Sequence, residues 1–314
     1  MNAGKQFECL VRFGTIRLLQ NGLSIMFLII GLLIVFGMVF GGFALAGGHF
    51  DVIIAAAPLE FMMIFGAAIG AFVIGNSIET IKATGAGIGK IAGGPKWKAQ
   101  DYQDLLVLLF ALTKTMKAKG VVALEAHIEK PEDSAIFKRY PKILKDHHAT
   151  DFICDTLRMM TMNLDDPHQV EAAMEKQLEK HHHEAHGPSH ALQSMADGLP
   201  ALGIVAAVLG IVKTMGAITE PPAVLGGMIG KALVGTFLGV FLAYGIVGPM
   251  ATRLVQVLDE EHQFYKIIMD VLVAHLHGNA AQVSVEIGRG SVPSSLAPSF
   301  SKLEEALNNM PNDA

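Results

Sequence analysis

GLPALGIVAAVLGIVKTMGAITEPPAVLGGMIGKALVGTFLGVFLAYGIVGP, residues 198–249, holds two apolar runs joined by a short turn that carries Pro221 and Pro222. The first run, Leu199–Val212 with its flanks, and the second, Ala232–Met250, each approach the ~20 residues that a helix needs to cross a bilayer. Small residues recur four apart in both: Ala206 and Gly210, Gly226 and Gly230, Gly235 and Gly239. That spacing lets helix backbones approach closely where lipid supplies no hydrophobic drive. Pro200 and Pro249 stand near the same end of the two legs, and a proline inside a helix removes a backbone hydrogen bond and bends it. The stretch predicts a transmembrane hairpin with a bend in each leg.

Working outward, the whole chain of 314 residues is 51% hydrophobic and only 17% charged, against ~25% charged in soluble domains. Its mean hydropathy is +0.43. The apolar surplus is concentrated in two hairpins around an ordinary charged middle. The first hairpin has a span at about Met26–Leu45, a connector Ala46–Pro58 without Lys or Arg, and a span at about Leu59–Ser77. Gly37 and Gly41, and Gly66 and Gly70, repeat the four-residue spacing. The segment from Glu79 to Ala196 carries fifteen Lys and Arg, whereas the inter-span turns are poor in them. By the positive-inside rule the middle and both termini are cytoplasmic. The reading is an all-α polytopic membrane protein with four spans, divided into 1–25, 26–78, 79–197, 198–250 and 251–314. Cys9 and Cys154 then both face the cytoplasm and are expected as free thiols.

Residues 1–25 mix Lys5, Arg12 and Arg17 with apolar residues, which suits a short basic helix on the membrane surface. The favoured reading places the true start at Met26, and a cleaved signal peptide is rejected because the apolar stretch is too long. Within the middle, Asp101–Glu129 contains the dense run Leu105–Leu112, too short to span and better suited to a helical core. Lys130–Ser134 breaks the helix, and Asp166-Pro167 is a helix start with an N-cap aspartate and proline at N1. The fourth span is expected to continue to about His277, followed by a Gly-, Ser- and Pro-containing segment, Gly288–Pro298, and a terminal helix at Ser301–Asn308.

Chemistry is sparse. His181, His182, His183, His186 and His190 include pairs at metal-ligating helical spacing. Their charged surroundings favour a polar connecting helix, so no metal is expected. No nucleophile motif, phosphate loop or paired carboxylate stands in a readable context, and the modest net charge of −5 suggests no nucleic-acid partner. Neither enzyme activity nor a cofactor is indicated. Glu60, Glu79, Lys213 and Lys231 all read as lying at span ends, leaving no ionisable group at mid-membrane depth. Such groups mark ion routes, so either the chain conducts nothing or a partner brings the carboxylate. Thr236 and Tyr244 are the polar neutrals left.

LPALGIVAAVLGIV (Leu199–Val212) with VGTFLGVFLAYGIVGPMA (Val234–Ala251) resembles the paired signature of the MotA family, stator subunits of the bacterial flagellar motor. IEKPEDSAIFKRYPKIL (Ile128–Leu144) and VEIGRG…PSF (Val285–Phe300) are similar to that family too. The related ExbB and TolQ group shares the last hairpin but usually has one span before the cytoplasmic domain. The resemblance implies a ring, a pentamer, around single-span MotB subunits whose aspartate carries the proton, in the bacterial inner membrane. It implies charge contacts to the rotor protein FliG at Lys117 and Glu125, where the family has an arginine and a glutamate eight positions apart. Pro200 and Pro249 match its coupling prolines. Sodium-driven members place a threonine where this chain has Ala207, and a second hydroxyl where it has Gly235. With Thr236 alone left, proton drive is implied, with Thr236 and Ala207 on the ion pathway. The rivals are an ExbB-like proton channel energising outer-membrane transport and a passive scaffold.

Overall fold

The computed structural model describes residues 25–162 and 166–310, and every described element is helical. The expectations for residues 1–24, including Cys9, lie outside the described residues. Contacts divide the chain into two compact units, one made of residues 25–94 with His186–Val257, the other of Pro95–Ala185 with residues 258–310. Four helices are long and apolar enough to cross a membrane, as the sequence predicts.

In the first unit, α1 (Ile25–Leu45) begins within a residue of the expected span. The next helix departs from expectation. α2 runs Asp51–Gly75 and contains Pro58, so the connector is much shorter than Ala46–Pro58. Pro58 lies inside the helix, which membrane helices tolerate when neighbouring groups re-satisfy the backbone. The shift carries Glu60 from a span end into the helix interior. α3 (Ile78–Gly93) is capped by the Ser77 hydroxyl, which accepts from the Thr80 amide at 3.2 Å. A Cβ at its Gly87 would lie 3.0 Å from Leu254, so glycine sets how closely α3 meets the later helix.

α8 (Pro167–Met215) is one unbroken helix that includes Pro188 and Pro200. The sequence predicts a separate charged helix ending near His190, whereas the chain carries straight on into the span. α9 (Pro222–Leu242) opens with proline at its first turn, where the missing amide hydrogen has no partner to lose. It leads through a π turn, Ala243–Val247, into α10 (Gly248–Leu276). α1 docks on α9 through phenylalanines: Phe36 meets Phe241 edge-on at 5.1 Å, and Phe40 meets Phe237 at 5.9 Å. Edge-to-face rings add attraction beyond area burial, which matters where lipid competes for every apolar contact.

The second unit has a conventional core. α4 (Ala99–Lys119) buries Leu105, Leu106, Leu108, Leu109 and Leu112 completely, as the dense apolar run predicts. Trp97 stacks on Phe264 of α10 at 3.8 Å. Gly120, at φ +83°, stops α4 in a conformation that costs a non-glycine residue. A 3-10 turn, Val121–Leu124, then leads to α5 (Glu125–Ile128), so the helix does not persist to Glu129. Ser134 gathers the following turn by accepting from the Ile136 and Phe137 amides. After α6 (Pro141–Leu144), Asp146 caps α7 (His147–Thr161) by accepting from Ala149 at 2.8 Å. The start of α8 is as predicted, with Asp166 accepting from His168 and Gln169 at 2.9 and 3.1 Å. α11 (Ala281–Gly290) is unforeseen in the sequence and packs on α4, as does α12 (Phe300–Asn308). Cys154 is a free, buried thiol, pushed up to about 12 mainly by burial.

Candidate ion and coupling site

The site is built where α8 and α9 cross, and glycine makes the crossing possible. A Cβ on Gly203 would lie 2.9 Å from the Gly235 carbonyl oxygen and 3.0 Å from Gly239 Cα. One on Gly239 would lie 2.7 Å from the Leu199 carbonyl oxygen, and one on Gly210 would lie 2.6 Å from Ala232 Cβ. These separations leave no room for a side chain, so the two backbones are in direct contact along the seam. Of the sequence's four-residue pairs, Ala206/Gly210 and Gly235/Gly239 are used here, and Gly203 joins them. Gly226, Gly37, Gly41, Gly66 and Gly70 meet no neighbour, and Gly230 touches only Val52.

Of the two expected pathway residues, the seam holds Ala207 against Gly235, and Thr236 follows Gly235 in the chain. Ala207 is buried, and its backbone nitrogen lies 3.2 Å from where a Gly235 Cβ would sit. Thr236, the next residue, is half-buried. The hydroxyls of Thr84, Thr113, Thr156, Thr214 and Thr252 each donate to the carbonyl four residues earlier in their own helices. Thr236 is not among them.

The structure adds a residue that the sequence reading placed elsewhere. Glu60 is 6% exposed, and its Oε2 lies 2.6 Å from the position of a Gly235 Cβ, beside Ala206 and Ala207. That oxygen is buried without a hydrogen-bond partner. At 1.5 Å per residue Glu60 lies roughly 13 Å along α2, well inside the apolar helix. The statement that no ionisable group reaches the interior of a span is therefore corrected. Lys231 also falls within α9 and not at its edge, but it is exposed. The signal was present in the sequence as a lone Glu in an apolar run, and it was lost when the span was started one residue after Pro58.

Pro200 and Pro249, the prolines expected to couple, have different settings. Pro200 is half-buried within the continuous α8, one residue after Leu199, whose carbonyl oxygen faces Gly239. Pro249 is exposed and stands two residues after the π turn, where the Gly248 amide donates to the Ala243 carbonyl, five residues back. Proline clashes with the carbonyl four residues earlier in a regular helix. One extra residue in the preceding turn relieves that clash, and such π segments are common at functional sites.

In the second unit, Lys117 ends α4 and Glu125 begins α5, both exposed. They stand on separate elements, because Gly120 ends the helix between them, and neither takes part in an ion pair among the described residues. His181 forms the centre of a polar group with ring centroids 4.9 Å from His148 and 4.8 Å from Tyr265. His182 lies 4.5 Å from His262 and 4.0 Å from Asp259. Burial, followed by the charge of His148, holds His181 below its ordinary range.

A family model described as motility protein A N-terminal matches residues 29–120, and one for the MotA/TolQ/ExbB proton channel family matches residues 144–266. The chain is 40% identical to motility protein A of Salmonella typhimurium over 91% of its own length and 97% of the relative's. Against motility protein A of Escherichia coli the identity is 39% over the same shares. Its fold is similar to that in the flagellar MotAB stator complex from Bacillus subtilis, with a TM-score of 0.63 and 21% identity over 88% of this chain and 98% of that one. This four-span chain therefore belongs to the motility protein A family, within the MotA/TolQ/ExbB proton channel group.

Proposed function

We propose that the chain is the ring-forming stator subunit of a bacterial flagellar motor and couples proton flow to torque. The observation that carries this reading is the glycine-lined seam, which gathers Ala207, Gly235 and Thr236 between two legs that each hold a coupling proline. The relatives named motility protein A and the solved MotAB stator complexes support it, and favour it over ExbB-like energising of outer-membrane transport. In this reading a MotB-like single-span subunit occupies the centre of a ring, taken as a pentamer, in the inner membrane with both termini cytoplasmic. A ring also accounts for faces that one chain leaves uncovered: Ile204, Val208 and Val212 of α8 are exposed, as are Gly37 of α1 and Gly66 and Gly70 of α2.

Mechanically, an ion binding at the seam changes charge where α8 and α9 touch. Helices with a missing hydrogen bond at Pro200 and a π turn before Pro249 yield most easily at those points. Movement there reaches the rotor-facing charges Lys117 and Glu125, which attract FliG at long range. Deleting the gene from its own organism tests the assignment. Paralysed cells with intact flagella are the expected result, with motility restored by the gene in trans. Normal swimming with failed iron uptake would instead support the transport reading.

A further inference from the structure

We propose that Glu60 is a proton-binding group of the ion pathway, a carboxyl supplied by this chain itself at the seam of α8 and α9. The proposal rests on the stator reading above and adds to it a protonatable residue of the ring. Four observations on the page converge. Glu60 lies within a helix apolar enough to cross the membrane. It is more than nine-tenths buried, and Oε2 has no hydrogen-bond partner among the described residues. That oxygen is aimed at Gly235, and any side chain at position 235 would collide with it. Ala207, implied on the pathway, has its backbone nitrogen 3.2 Å from that same Cβ position, and Thr236 is the residue after Gly235.

The charged and titratable groups on the surrounding elements do not neutralise it. Asp51 and His49 lie at the start of α2 and before it, Lys213 ends α8, and Lys231 lies one turn before Gly235 on α9. Asp51, His49, Lys213 and Lys231 are each exposed, and none forms an ion pair with Glu60. An ionised carboxylate buried without a partner is strongly disfavoured, and an ionisable group at membrane depth is a functional hypothesis by default. The neutral acid is the resting form. In the proposed step its O–H bond breaks as the proton passes to a water or carboxylate acceptor at the seam. The resulting carboxylate then takes a proton from water on the other side, and no electron is transferred. A Cβ at position 235 would require the Glu60 carboxyl to move.

The test uses the full chain with its single-span partner, comparing wild type, E60Q and E60D. Infrared difference spectra of the purified complex in lipid, titrated with pH, read the protonated-carboxyl C=O band directly. Tethered-cell rotation reads function, and immunoblots of membranes read assembly. We expect a carboxyl band that titrates with pH and is absent from E60Q, normal membrane levels, and rotation at least fivefold slower in E60Q and partly restored in E60D. A band unchanged by E60Q, or wild-type rotation of E60Q across pH, would overturn the proposal. If E60Q fails to accumulate, E60D decides: a band shifted in position or midpoint supports the assignment, and an unmoved one refutes it. Failure of the wild-type chain to drive rotation counts against the stator reading alone, because the infrared titration still reports whether Glu60 holds the proton.

Discussion

Asp146 in the second unit and Glu60 in the membrane unit are equally buried, at 6% exposure each, yet their surroundings are opposite. Asp146 is ion-paired with Lys96, accepts the Ala149 amide at 2.8 Å, and accepts the Tyr265 hydroxyl at 3.3 Å. Burial pushes its carboxyl up. The Lys96 hydrogen bond, the Ala149 amide, and the charges of Lys96 and His148 together outweigh that and hold it below the usual range. Asp101 is also ion-paired, with Lys142. Glu60 has no such company on its buried oxygen. A charge meant to stay ionised in a fold is surrounded by partners. A group meant to exchange a proton is left able to do so. The membrane unit is held by backbone contact through glycine, and the second unit by filled apolar volume and paired charge.

The largest expected effect comes from the glycine seam. Gly239→Val places side-chain atoms against Leu199 and Gly203 backbone and is expected to cost about 3 kcal/mol, seen as loss of the chain from membranes. Gly66→Val meets nothing within the chain, so any effect should fall on ring assembly while its membrane level stays intact. Equal damage from both would end the distinction between the two hairpins.

The carboxylates give the next largest contrast. Asp146→Asn breaks a buried pair whose lysine is still 43% exposed, so the loss is discounted to roughly 2 kcal/mol. Thermal denaturation in detergent should show it, while Glu60→Gln should melt within a degree or two of wild type. Destabilisation by E60Q matching that of D146N would assign Glu60 to the fold.

Much of this was legible in the sequence, and the failures have physical causes. The hairpin at 198–249, the first span and the Leu105–Leu112 core follow from apolar run length. Asp166-Pro167 is readable as a cap because the aspartate and proline chemistry is local. The start of α2 at Asp51 was not legible because the helix runs on through Pro58, which a membrane helix can accommodate. One misplaced boundary then hid Glu60. The break at Gly120 depends on a positive φ that no periodicity reports, and it separates Lys117 from Glu125. α11 escaped notice because its Gly288 and Gly290 read as a loop, although Val285 and Ser284 bury against the core.

His181 predicts a smaller, pH-dependent effect. Its folded-state pKa lies below the ordinary 6.5, so the unfolded chain binds a proton first. The stabilisation is complete above pH 6.5 and is lost as pH falls through the folded value. Melting temperature should decline from neutral toward acid pH, and His181→Gln should flatten that slope. An unchanged slope would detach His181 from the acid response.

The smallest effects belong to the exposed charges. Single reversal of Lys117 or Glu125 should slow swimming only mildly, because exposed pairs contribute about 0–1 kcal/mol. Reversing both should be clearly worse without changing protein level. Normal motility of the double reversal would return both residues to ordinary solvated surface.

The central claim is that this seam conducts protons and that their flow turns the motor. Rotation of tethered cells, with sodium replaced by potassium at fixed pH and a protonophore added in a separate run, measures it directly. Rotation that continues in potassium and stops with the protonophore is the predicted result. Rotation that stops without sodium and survives the protonophore would contradict it.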